Sequence, residues 1–305
     1  PPVIKIPFKL TSIGELLKQP PTLKWLIKGY LPPEGLGFIN GDPATGKSLL
    51  ALDWFCHIAC GIPWRGNPVK QGGVVIIAGE GHFGLRRRLK AWDIHNNIDL
   101  SDKPIVVSDV GASLTDKQSV EAVTEAIEGF VEEHGQLSLI IIDTLHRNLG
   151  AADENSSEDM AVYFNNLDAL RAKYECLIMT VHHSGHGDKS RARGSSSIRA
   201  AIDIEYQISK SNDVSEVSCQ KMKDAAKPKK FAFEPKEIDL PWLHDTGENE
   251  TSVVIVEAET SSGQGKKLSP QHQVVFEALC RLTAEANVEL NADPIKIAND
   301  AWRDQ

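Results

Sequence analysis

Eight consecutive residues, Gly41-Asp42-Pro43-Ala44-Thr45-Gly46-Lys47-Ser48, have the types and spacing needed to hold a polyphosphate. Glycine lets the backbone curl until successive N–H groups converge on phosphate oxygens. Lys47 can reach the terminal phosphates, and the Ser48 hydroxyl can ligate Mg²⁺. Leu49 opens a helix whose N-terminus would turn its partial positive charge toward the same anion, so the binding set runs from Gly41 through Leu49. Two carboxylates complete the chemistry. Asp143 follows the apolar run Leu139-Ile140-Ile141-Ile142 and would hold the Mg²⁺ through water. Glu80 stands at the tip of a strand expected beside that of Asp143, where it can orient and deprotonate a water aimed at the γ-phosphate.

Two further groups of residues invite chemistry. His182 and His183 end another apolar run, and with His186 they suggest a metal site. Adjacent histidines on a strand point to opposite faces, however, and no Cys or spaced carboxylate completes a tetrahedral set. Residues 185–197 are rich in Gly and Ser and carry Lys189, Arg191 and Arg193 without a long apolar side chain. Such a composition suits either a charged surface loop or a loop that meets nucleic acid.

The hydrophobic pattern supplies the elements that must position these groups. Leu36, Phe38 and Ile39 form the strand before the loop, and 49–60 is a helix apolar nearly all round, closed by Gly61 and Pro63. Runs at 74–78, 139–142 and 176–181 are continuous and mostly β-branched, as in strands buried on both faces of a parallel sheet, with a shorter strand at 104–107. Thr115-x-x-Gln118 reads as a capping box for a helix through Val120, Ile127 and Phe130; a second capped helix places Met160, Phe164, Leu167, Leu170 and Tyr174 on one face. Strands alternating with amphipathic helices imply an α/β fold with a mainly parallel sheet flanked by helices. Its ligand site lies at the strands' C-terminal ends, where Gly41, Glu80, Asp143 and His183 all fall. Later segments (204–209, 214–222, 231–233 and 253–256) read as short strands extending the sheet in antiparallel fashion. The expected organisation is an arm at 1–30, the α/β domain at 31–260, a linker at 261–270, and a small helical appendage at 271–305 resembling the beginning of a winged helix.

Composition sets limits. At 305 residues and 41% hydrophobic content the chain can build one large core, and no apolar run approaches a membrane span. Five scattered cysteines without CxxC spacing suit a reducing cytoplasm. The net charge of −9 excludes a surface that is basic all over, so nucleic acid would have to meet a local patch. The chain opens on Pro1 and is expected to be a segment of something longer.

Together, the 41–48 loop, Gly79-Glu80, Ile140-Ile141-Ile142-Asp143-Thr144-Leu145, His182-His183 and Arg193-Gly194-Ser195-Ser196 resemble RecA-like P-loop ATPases. Within that branch they are similar to the hexameric replicative helicases of plasmids and phages, over about residues 31–223. The resemblance implies a RecA-like P-loop NTPase fold, ATP and Mg²⁺ as cofactors, and Glu80 as catalytic base. It makes His182 and His183 a pair that senses the γ-phosphate and links it to a nucleic-acid-contacting loop. In a ring, one 185–197 loop per subunit would line a central channel, gathering cations around single-stranded DNA or RNA while the outside stays acidic. The resemblance also implies a second pore loop at 147–158 and a cation reaching the neighbour's nucleotide, with Lys221, Lys223 and Arg199 as candidates in that order. Related rings often have Arg where this chain has Lys223, and the plasmid type has an arginine near the place of Asp203. Arg86-Arg87-Arg88 reads as a solvated face or a subunit contact, and 227–230 as a solvated turn.

The expected function is an ATP-driven ring helicase, a hexamer by that resemblance, translocating on single-stranded DNA during plasmid, phage or mobile-element replication. It would work in the cytoplasm beside a primase or polymerase on the same or a separate chain, with no membrane partner. Two other classes fit the same motifs: a filament-forming recombination or repair ATPase, and a nucleotide-switched loading or signalling ATPase without nucleic acid.

Overall fold

A computed structural model describes residues 10–18, 24–79, 81–183, 199–243 and 247–260, all within the first of two compact units, Pro1–Thr260. Glu80, His186, Lys189, Arg191, Arg193 and the segments expected at 261–270 and 271–305 lie outside the described residues. After a single exposed turn, α1 (Ile13–Leu16), the chain enters the core at Leu26 and Ile27 and forms the loop-bearing strand β1 (Gly35–Gly41). This strand is buried throughout because it is apolar on both sides: Leu36 and Phe38 join one layer of core, Ile39 the other. Helices α2 (Lys47–Cys60) and α3 (His82–Asn96) cover the Ile39 side, while α4 (Lys117–His134) and α5 (Ser157–Tyr174) cover the Phe38 side.

Strands β2 (Gly73–Ala78), β3 (Ile105–Val107), β4 (Leu137–Asp143) and β5 (Leu177–His183) lie parallel with β1 in the order β3-β2-β4-β5-β1. Register aligns their C-terminal ends: Gly41 pairs with His183, and Ala78 with Asp143. The expected sheet and its row of strand tips are therefore present. Strands β6 (Ile204–Ser211), β7 (Val214–Met222), β8 (Phe231–Leu243) and β9 (Asn249–Ala258) continue the sheet beyond β1.

Three local expectations are corrected. β6 runs parallel to β1, and only β7 to β9 are antiparallel. Asp203 sets this direction: its N–H donates to the Leu36 carbonyl (2.7 Å) and its Oδ2 accepts from the Leu36 N–H (3.0 Å), starting β6 beside the start of β1. β8 and β9 are not short; they form a hairpin of 13-residue and 10-residue strands whose outer half carries Glu234, Lys236, Glu237 and Asp239. The cap of α4 is Asp116, whose Oδ2 accepts from the Ser119 N–H (2.9 Å), while the Thr115 hydroxyl donates to the Leu149 carbonyl (2.7 Å). Among the described residues no helix is long and apolar enough to cross a membrane.

The α2 side of the core is pinned by a buried carboxylate. Asp53 accepts from the indole N–H groups of Trp64 (2.7 Å) and Trp92 (3.0 Å), both buried rings. Asp53→Ala would leave both donors without an acceptor, at about 1–3 kcal/mol each. A loss near ~3 kcal/mol is expected as a lower denaturant midpoint at unchanged m-value, with Asp53→Asn losing less because it keeps one acceptor oxygen.

Candidate active site

The loop between β1 and α2 turns through left-handed backbone at Ala44 (φ 61°) and Gly46 (φ 88°). Glycine is required at 46 for a second reason, since a Cβ there would sit 2.8 Å from the Phe233 ring. The Thr45 hydroxyl donates to the Asp42 carbonyl (2.8 Å) and tightens the turn. Lys47 is 4% exposed, and its Nζ donates to the carbonyls of Gly41 (2.8 Å) and Asp42 (2.7 Å). Burial holds its pKa below the ordinary lysine value, against the opposing pull of Asp143 and Asp42. An ammonium withdrawn from water and satisfied by neutral carbonyls gains from exchanging them for phosphate oxygens.

Two cavities open here and share Ser48, Arg88 and His183. One, of about 360 Å³, adds Ala78, Asp143 and Thr144 from the strand tips; the other, of about 270 Å³, adds Gly46, Lys47 and Phe233. Ser48 and Asp143 facing one cavity offer the oxygen donors that suit Mg²⁺ held largely through water. Gly79 is held to the same strand tip, its N–H donating to the Asp143 carbonyl (2.8 Å).

The histidines separate, as neighbours on a strand must. His183 lines both cavities. His182 points to the α5 side, with Nδ1 3.2 Å from Asn40 Oδ1, Nε2 3.6 Å from Glu154 Oε2, and its ring edge against Phe38. Burial holds its pKa below the ordinary value; Glu154 opposes this, and the charges of His183 and Lys47 add to it. The structure thus brings one member of the expected pair to the nucleotide cavity and not the other. Among the described residues no group of three side chains could hold a metal ion by His, Cys, Asp and Glu donors.

The arginine triplet also divides. Arg86 lines neither cavity, and Arg87 ties α3 to β9 through the Thr251 carbonyl (2.7 Å) and Glu250 (3.1 Å). Arg88 reaches both nucleotide cavities. Its spacing from Leu85, one helical turn earlier and lining the larger of them, is the signal that separates it from its neighbours. A charge-assisted bond to phosphate is worth about 1.5–3 kcal/mol, so Arg88→Ala is expected to weaken ATP affinity or turnover by about 10–100-fold, with Arg86→Ala unchanged. Nucleotide titration and phosphate release measure the two arms.

The three cations expected to act in trans sit at the other end of the sheet. Ile204 pairs with both Gly37 and Met222, which puts residues 199–203 and 221–223 beside the start of β1, roughly 20 Å along the strand from Gly41. Lys221 Nζ donates to the carbonyls of Arg199 (2.7 Å) and Ile202 (2.5 Å), Lys223 Nζ to Asp203 Oδ1 (3.1 Å), and Arg199 Nε to Glu205 Oε2 (2.8 Å). The P-loop of their own chain is out of reach of Lys221 and Lys223. In the 147–158 segment Asp153 accepts from Asn155 and Ser156 caps α5, an acidic turn rather than a cationic one.

A family model described as an AAA domain matches residues 3–189, more than half of the chain. No curated protein matches. The solved ATPase domain of a phage replicative helicase superposes with a TM-score of 0.52 over 72% of this chain and 91% of that one, at 13% identity. In all, 591 solved chains match, a likeness that shows the RecA-like fold and not the activity.

Proposed function

Because the chain belongs to the AAA domain family and carries the RecA-like P-loop ATPase fold, we propose that it hydrolyses ATP between copies of itself and uses the energy to translocate on single-stranded DNA. The observation that carries this reading is the convergence of Lys47, Ser48, Asp143, Arg88 and His183 on two joined cavities at the tips of parallel strands. The triphosphate would replace the Gly41 and Asp42 carbonyls on Lys47. Bound Mg²⁺, held by Ser48 and through water by Asp143, would neutralise charge on the β- and γ-phosphates. Glu80 takes the proton of the attacking water, and His183 donates to a γ-phosphate oxygen, an interaction that ends when the phosphate departs.

In this reading a hexameric ring in the cytoplasm serves plasmid, phage or mobile-element replication, with a primase or polymerase alongside. The cations at the start of β1 support the shared site, since a phosphate they met would belong to another chain's nucleotide. Turnover measured with and without single-stranded oligonucleotide tests the coupling. DNA is expected to raise turnover, and Ala at Lys189, Arg191 and Arg193 together is expected to abolish the rise. Unchanged stimulation in that variant would remove the pore-loop role, and no stimulation of the native chain would favour an ATPase that ignores nucleic acid. An RNA oligonucleotide in the same assay reads the preference between the two polymers.

A further inference from the structure

A row of four polar side chains crosses the sheet on the α5 side, and the reaction above uses neither of its middle members. His182 on β5 meets Asn40 on β1 (Nδ1 to Oδ1, 3.2 Å). Asn40 Nδ2 donates to Glu205 Oε1 on β6 (2.9 Å), and Glu205 Oε2 accepts from Arg199 Nε (2.8 Å). Asn40 and Glu205 are 8% and 6% exposed, so the central bonds are made away from water, where each polarises the next.

The direction of every donor in the row is forced. A carboxylate only accepts, so Asn40 must give its NH₂ to Glu205 and turn its carbonyl to His182; the imidazole must then carry a proton on Nδ1. That leaves Nε2 as the proton-free nitrogen of the neutral ring. Glu154, 3.6 Å from Nε2, draws a proton toward that nitrogen instead, so the tautomer is decided by the row against this pull. Turning Arg199 away would leave the buried Glu205 with one partner fewer, loosen its hold on the Asn40 amide, and free the tautomer of His182.

We propose that Asn40 and Glu205 are positioning residues that lock His182 and Arg199 into one hydrogen-bonded row, so that the strand tip beside the P-loop and the cationic edge facing another copy change together. Glu205 pairs in the sheet with Phe38, a position where an apolar residue would fill the same space without the desolvation cost of a carboxylate. Lys221 joins the row through the Arg199 carbonyl, so two of the three candidate trans cations depend on it. The inference rests on the proposed hydrolysis of ATP between copies.

The test uses the full chain labelled with ¹⁵N-histidine. Glu205→Gln keeps an acceptor for Asn40 but presents Arg199 with an amide in place of a charge, and it makes no contact with His182. Without nucleotide, the native ring is expected to show its proton on Nδ1, and Glu205→Gln a mixture of tautomers. Turnover at saturating ATP is expected to fall by at least about tenfold, with KM for ATP within about twofold. Asn40→Ala, which cuts the row at its middle and leaves the Glu205–Arg199 pair intact, should show the same split even if Glu205→Gln fails to fold. Native ring signals in folded Glu205→Gln, or native turnover in Asn40→Ala, would overturn the proposal. A tautomer shift in a chain that hydrolyses no ATP would refute the proposed function while upholding the row.

Discussion

Glu80→Gln is expected to lower ATP turnover by about 10²–10⁴-fold while ATP still binds. The amide keeps the size of the side chain and can still hydrogen-bond a water, but it cannot take the proton. The expectation follows from its neighbours: Ala78 pairs with Asp143, and the Gly79 N–H is bonded to the Asp143 carbonyl, so the chain leaves Gly79 beside the carboxylate assigned to Mg²⁺. Phosphate release should be lost and nucleotide titration should remain as in the native chain. Normal turnover would place the base elsewhere.

Removing the cation that acts in trans should cost as much or more, about 10³–10⁵-fold, because it neutralises charge that develops only in the transition state. Lys221→Ala, Lys223→Ala and Arg199→Ala are compared, and the chain that carries the acting residue should show the largest fall. Mixing decides whether the effect crosses between chains. A Lys47→Ala subunit has a dead site but an intact cation, whereas the cation variant has an intact site and nothing to offer its neighbour. In an equal mixture roughly a quarter of the interfaces join two sound halves, so turnover should return to about that fraction of native. A mixture no more active than its parts would place the cation's effect within its own subunit.

Most of the nucleotide cradle is legible in the sequence because it is local. The 41–48 loop is contiguous, and strands buried on both faces announce themselves as unbroken apolar runs; β1, β2, β4 and β5 therefore fall where expected, with their tips in one row. What escapes is decided by partners far apart in the chain. The direction of β6 depends on Asp203 bonding to Leu36, 167 residues away, and the polar Asn40 inside an apolar strand gains its meaning from Glu205, 165 residues away. The division of labour among Arg86, Arg87 and Arg88 depends on β9 passing beside α3, which no helical periodicity can reveal. At Thr115 the rival was adjacent: two residues that can cap stand side by side, and the Leu149 carbonyl takes the threonine hydroxyl, leaving the cap to Asp116.

ATP turnover per chain, followed across dilution at saturating ATP and single-stranded oligonucleotide with the particle mass measured in parallel, tests the shared site most directly. Turnover should be high while chains are associated and fall toward nothing as the mass drops to that of one chain. Undiminished turnover by single chains would contradict hydrolysis between copies.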